Sequence, residues 1–154
     1  MKCVKKLVAV LLTAVMALTL LTACGGGGGG SGSAETGNQL TAKINNQLAD
    51  DNSDIRLTYS DKLSSQAIVC LQYYQRTGDA NSALQMANLN EEDYNFIAID
   101  VNQGESMEYA ASLLAVQIEA LGNNWGKAKQ VGYAEAELLN TQPKQYRLFV
   151  LLKK

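Results

Sequence analysis

Tyr146-Arg147-Leu148-Phe149-Val150-Leu151-Leu152 is the stretch whose reading decides the fold. It is apolar almost throughout and carries no period of two. It therefore reads as a strand covered on both faces, in the middle of a sheet. Upstream, Gln130 to Leu138 does alternate. Val131, Tyr133 and Glu135 fall on one face, and Gly132, Ala134 and Ala136 on the other. The face of small residues predicts close approach by a helix. Asn140 to Gln145 lies between the two strands and holds the only proline, Pro143. An antiparallel C-terminal hairpin follows from that arrangement.

Outward from the hairpin, helices dominate. Glu105 to Leu121 carries Met107, Ala110, Ala111, Leu114, Ile118 and Leu121 as a continuous stripe, widened by Leu113 and Val116. Gly122 and Asn123 stop it. So broad an apolar arc predicts packing against a sheet. Phe96 to Val101 is β-branched and apolar, a strand interrupted by Asp100, whose carboxylate is expected at the surface. Asn90 to Asp93 reads as a helix cap with a solvated acidic first turn, and Ala80 to Leu89 as a short helix. Ser60 is a good N-cap followed by Asp61. From there Leu63, Ala67, Cys70, Leu71 and Tyr74 form a helical stripe that ends near Gly78. Cys70 on that stripe is expected to be a buried, inert thiol, because no cation beside it in sequence would lower its pKa. Leu40, Ile44 and Leu48 mark a first helix over Gln39 to Ala49. Asp50-Asp51-Asn52-Ser53-Asp54 then has the oxygens of a calcium loop at positions 1, 3 and 5. Ile55 stands where the loop needs glycine and the closing glutamate is missing, so a polar turn is expected. The fold class is α/β (α+β), helices first.

The N-terminus has a different composition. Met1 to Lys6 is basic, and Leu7 to Leu20 is apolar except for Thr13 and Thr19. Fourteen residues are too short for a ~30 Å hydrocarbon core, which is the pattern of a secretory signal. Leu21-Thr22-Ala23-Cys24 closes the run with a small residue before a cysteine and resembles the lipobox of bacterial lipoproteins. The resemblance implies removal of residues 1–23, a diacylglyceryl group on the Cys24 thiol, and anchoring to the outer, extracytoplasmic face of the cell membrane. Gly25 to Gly30 and Ser31-Gly32-Ser33 cost too much entropy to order. Residues 24–37 read as a tether reaching on the order of 20 Å. The globular domain is then 38–154, large enough for a core of its own.

Composition excludes several function classes. Removing Lys2, Lys5 and Lys6 from the 13 basic residues leaves ten against 15 acidic ones, a net charge of −5. That balance argues against a nucleic-acid partner and against docking on anionic lipid. Of three cysteines, Cys3 leaves with the signal, Cys24 takes the lipid, and Cys70 has no thiol left to pair with. There is no histidine, which removes the commonest general base and the usual zinc ligand sets. No cofactor or metal is expected.

Asn45-Asn46, Leu57-Thr58-Tyr59-Ser60, Leu63-Ser64-Ser65-Gln66-Ala67, Ile97-Ala98 and Val131-Gly132-Tyr133-Ala134 occur in that order. Together with the closing strand they resemble the CAP superfamily (cysteine-rich secretory, antigen 5 and pathogenesis-related proteins). The resemblance spans most of residues 39–152 and implies a three-layer α-β-α sandwich with an extracellular binding role. The family's cavity holds two histidines and two acidic residues. This chain has no histidine, and Asn95 stands where the first acid of the "E-N-I-A" motif would be. The family's cation site is therefore not implied.

The expected function is a lipid-anchored extracellular lipoprotein with a non-catalytic CAP-like binding domain for a small molecule or an envelope protein. A groove for that ligand would be rimmed by Tyr73, Tyr74, Trp125 and Tyr133, although ordinary core and half-buried surface is the readier explanation of these aromatics. One alternative is a carboxylate-dependent envelope hydrolase using Glu105 with Glu108, or Glu135 with Glu137, since paired carboxylates ~5–10 Å apart across a cleft suffice for such chemistry. Another is a structural subunit of an envelope assembly.

Overall fold

A computed structural model describes residues 34–122 and 128–154. In chain order the elements are α1 (Ala34–Asp50), β1 (Arg56–Tyr59), α2 (Asp61–Thr77), α3 (Ala80–Met86), β2 (Tyr94–Asn102), α4 (Met107–Ala120), β3 (Ala128–Leu138) and β4 (Gln145–Lys153). They build one mixed sheet in the order β1-β3-β4-β2. The apolar C-terminal strand is thus internal, antiparallel to β3 on one side and to β2 on the other. β1 joins the far side of β3 in parallel.

The alternation of β4 divides the molecule into three layers. Leu148, Val150 and Leu152 point into a core formed with α1 and α4, through Leu40, Ile44, Leu48, Leu114 and Ile118. Phe149 and Leu151 point the other way, into a core formed with α2 and α3, through Leu63, Ala67, Cys70, Leu71 and Leu84. A strand buried on both faces has no polar face, which is why its sequence shows no period of two. The arrangement is a three-layer α-β-α sandwich with a C-terminal antiparallel pair.

Gly132 explains how the second layer sits so close. A Cβ at this position would lie 2.2 Å from both the carbonyl carbon of Leu63 and the amide nitrogen of Ser64. The backbone of α2 therefore rests directly on β3, as the small face of Gly132, Ala134 and Ala136 predicted. α2 begins and ends where its caps place it. The Ser60 hydroxyl accepts from the Leu63 amide, and Gly78 closes the helix in the left-handed region at φ 66° with its N–H donating to the Tyr74 carbonyl. On the opposite face, α4 runs from its N-cap Ser106 and buries Met107, Ala110, Ala111, Leu114, Ala115 and Ile118. Asp100 is exposed and forms a two-pronged ion pair with Arg147, its cross-strand neighbour, at 2.7 and 2.8 Å.

Three local expectations are corrected. α1 begins at Ala34, so Ala34 to Gly37 belong to the helix rather than to the tether, and Thr36 and Gly37 are buried. A Cβ on Gly37 would overlap the Tyr59 ring at 2.1 Å, so the ring of Tyr59 lies on the first turns of α1. β1 stands between the first two helices, where no strand was expected. Asn90 to Asp93 does not cap a helix. It forms a turn in which the Asn90 side chain accepts from the Glu92 amide and the Asn90 carbonyl accepts from the Tyr94 amide, delivering the chain into β2.

Candidate functional site

β1 ends at Tyr59 while β3 continues, and the junction holds a hydrogen-bonded cluster of polar side chains. Ser60 still donates its amide to the Val131 carbonyl at 2.9 Å. One residue pair further on, the strand partner is gone. The Ser64 hydroxyl of α2 replaces it and accepts from the Tyr133 amide at 3.0 Å. Ser64 in turn donates to the Tyr59 phenol at 3.2 Å, and Tyr59 donates to the Asp61 carboxylate at 3.0 Å. The rings of Tyr59 and Tyr133 stack at 6.1 Å with planes 8° apart.

A second chain of hydrogen bonds anchors the far end of Tyr133. Thr41 donates its hydroxyl to the Gly37 carbonyl at 2.7 Å, and its oxygen lies 2.8 Å from the Tyr133 phenol. Thr41 has one proton, so the phenol is the donor in the second bond. Burial is the main cause that raises the pKa of both phenols, and Tyr133 is 5% exposed. Both stay protonated near neutrality. Every hydroxyl proton of the cluster has an acceptor, and the one carboxylate among those acceptors, Asp61, receives the Tyr59 proton. The cluster locks α1, β1, α2 and β3 together.

Glu135 projects from the same face of β3 as Tyr133, two residues further along. It is half-buried opposite Leu148, and burial pushes its pKa up to about 7. No ion pair or hydrogen bond reaches its carboxylate from the described residues. The other acids of the sequence reading are placed differently. Glu137 is paired with Lys144 at 3.0 Å. Glu108 is bound by Lys43, whose hydrogen bond holds the carboxyl below its usual range. Glu105 precedes the Ser106 cap, so it is not on a helical face with Glu108.

Tyr74 and Tyr133 do not share a groove. Tyr74 lies in the α2/α3 layer, edge-on to Phe96 at 5.5 Å, with the Arg147 guanidinium 5.7 Å from its ring centre. Tyr133 is on the opposite side of the sheet. Tyr73 is half-buried on α2, and Trp125 and Cys24 lie outside the described residues. Cys70 is fully buried, and burial raises its thiol to about 11. It is inert at neutral pH, as its position on the stripe implied.

No family model matches the chain, and no curated protein or solved structure matches it.

Among the described residues there is no group of three or more His, Cys, Asp or Glu side chains placed to hold a metal ion. None of the described helices is long and apolar enough to cross a membrane. Sequence reasoning put Glu135 on the face of Tyr133 but missed Ser64 and Thr41 as its hydrogen-bonding neighbours. The spacing of Gly132 and Tyr133 does indicate where α2 and α1 must approach.

Proposed function

We propose that this protein is a lipid-anchored, extracytoplasmic lipoprotein whose CAP-like domain recognises a ligand and does not transform one. The anchor reading is supported by the basic, apolar, small-residue and cysteine order that ends at Cys24. The binding reading is carried by one observation. The hydroxyl protons gathered at the end of β1 are spent on one another, on the Gly37 carbonyl and on the Asp61 carboxylate, in a chain that has no histidine to activate them. Glu135, beside this cluster, has no hydrogen bond or ion pair among the described residues. A half-buried carboxyl without a partner is suited to accept a hydrogen bond or a cationic group from a bound molecule.

Helix α1 begins ten positions after Cys24. At ~3.3–3.6 Å per residue such a linker spans on the order of 35 Å when fully extended, which keeps the domain within reach of the bilayer surface. Replacing Cys24 by Ala tests the anchor. The expected result is transfer of the protein from the membrane fraction to the soluble fraction. Unchanged membrane retention would contradict it.

A further inference from the structure

The strand β2 closes the sheet at one side, and its outer edge has the hydrogen-bonding pattern of a self-complementary surface. β2 pairs with β4 over all of Tyr94 to Asn102 without a break in register. Beyond each end the same register continues, with Lys154 donating to the Asp93 carbonyl and Gln103 donating to the Lys144 carbonyl. The odd-numbered residues therefore bond to β4, and the backbone groups of Tyr94, Phe96, Ala98, Asp100 and Asn102 face outward.

Some of these outward groups are already satisfied. The Tyr94 amide donates to the Asn90 carbonyl, the Phe96 amide donates to the Asn95 side chain at 2.7 Å, and the Asn102 carbonyl accepts from the Glu105 amide. Still open among the described residues are the Tyr94 and Phe96 carbonyls, both groups of Ala98, both groups of Asp100, and the Asn102 amide. The edge carries one charge, Asp100, which is already paired with Arg147 on the neighbouring strand. There is no proline, lysine or bulge between Tyr94 and Asn102.

We propose that this edge pairs with β2 of a second copy of the chain, antiparallel, about a two-fold axis at Ile99. In that register Ala98 and Asp100 of the second copy exchange both backbone bonds, and the same exchange recurs by symmetry. Each Asn102 amide reaches the Phe96 carbonyl of the other copy. The two groups that would otherwise face each other, the Phe96 amide and the Asn102 carbonyl, are the ones already satisfied within each chain. No internal bond has to break. A register centred on Ala98 would set the Asn102 amide against the Tyr94 carbonyl, but it places the occupied Phe96 amide opposite the Asp100 carbonyl and leaves that carbonyl without a donor inside the junction. One centred on Asp100 sets two carboxylates opposite each other.

The side chains agree with the same axis. Ile99 is half-exposed and would meet its own copy in a non-hydrogen-bonded pair, where Cα atoms are ~4.5 Å apart. Ile97 would meet Val101, which continues the α1/α4 core across the junction. On the other face Ala98 would lie opposite Asp100, and its small side chain leaves the Asp100–Arg147 pair intact. The product is a continuous sheet through two protomers with an isologous interface.

Cysteine cross-linking of the full chain in native membranes tests this. Ile99→Cys places two thiols at the axis, within the Cα separation a disulfide accepts. Val116→Cys, on the exposed side of α4, serves as the control. Mild oxidation is expected to give a disulfide-linked homodimer from Ile99→Cys, several-fold above the control. Adding Ala98→Pro removes one outward N–H without touching a bond to β4, and should cut the yield several-fold. Shielding of Cys70 from a maleimide shows that each variant is folded. A yield no higher than the control would overturn the proposal. So would a yield that Ala98→Pro leaves unchanged in a folded variant, or capture of a different protein in place of the second copy.

Discussion

Two residues on β3 act in opposite ways on stability, and each gives a prediction. Gly132 is required because α2 lies where its side chain would be. Gly132→Ala must push backbone away, and overpacking of that kind costs about 1–3 kcal/mol or more. A fall in the urea midpoint of the domain checks it. Glu135 is instead a liability at high pH. Its folded pKa of about 7 stands above the ordinary 4.5, so the folded state holds the proton more tightly than the unfolded one. Below pH 4.5 both states are protonated and the residue is neutral in effect. As pH rises through 7 the buried charge disfavours the fold, by on the order of 2–3 kcal/mol. Glu135→Gln should leave melting unchanged at pH 4 and raise the melting temperature at pH 8. Equal melting of the two proteins at both pH values would remove Glu135 from the account. Cys70, fully buried and raised to about 11, should react with a maleimide only after unfolding.

At the scale of elements, local chemistry was legible and distant pairing was not. The limits of α2 can be read from Ser60 and Gly78, because a cap acts through the residues next to it. Ser60→Ala should therefore destabilise the domain by about 0.5–2 kcal/mol, measured by chemical denaturation. The central position of β4 was legible for a related reason, since burial on both faces leaves no alternation to hide. β1 has four residues, two of them polar, and exists because it pairs with Ala128 to Val131, some seventy positions later. Nothing within Arg56 to Tyr59 announces that partner. The early start of α1 has the same origin, since Gly37 is held in the helix under the ring of Tyr59. Asn90 to Asp93 has the residues of a helix cap and of an Asx turn alike, and β2 following it decides between them.

For the whole molecule, the order of layers follows from the two faces of one apolar strand. The candidate site required more than sequence patterns supply. Tyr74 and Tyr133 are both aromatic and both near apolar stripes, yet the parity of β3 and the side of the sheet taken by α2 put them on opposite faces. The sequence reading paired acids by spacing, whereas the fold sorts them by partner. Lys43 takes Glu108, Lys144 takes Glu137, and Glu135 is left beside the tyrosine cluster. The membrane attachment of this sandwich is a matter of the first 24 residues and is proposed from their text alone. The most direct measurement is the mass of the N-terminal peptide released from the protein isolated from its native membranes. The account predicts a chain that starts at Cys24 and carries a diacylglyceryl group on that sulfur. A peptide that starts at Met1, or an unmodified Cys24, would contradict it.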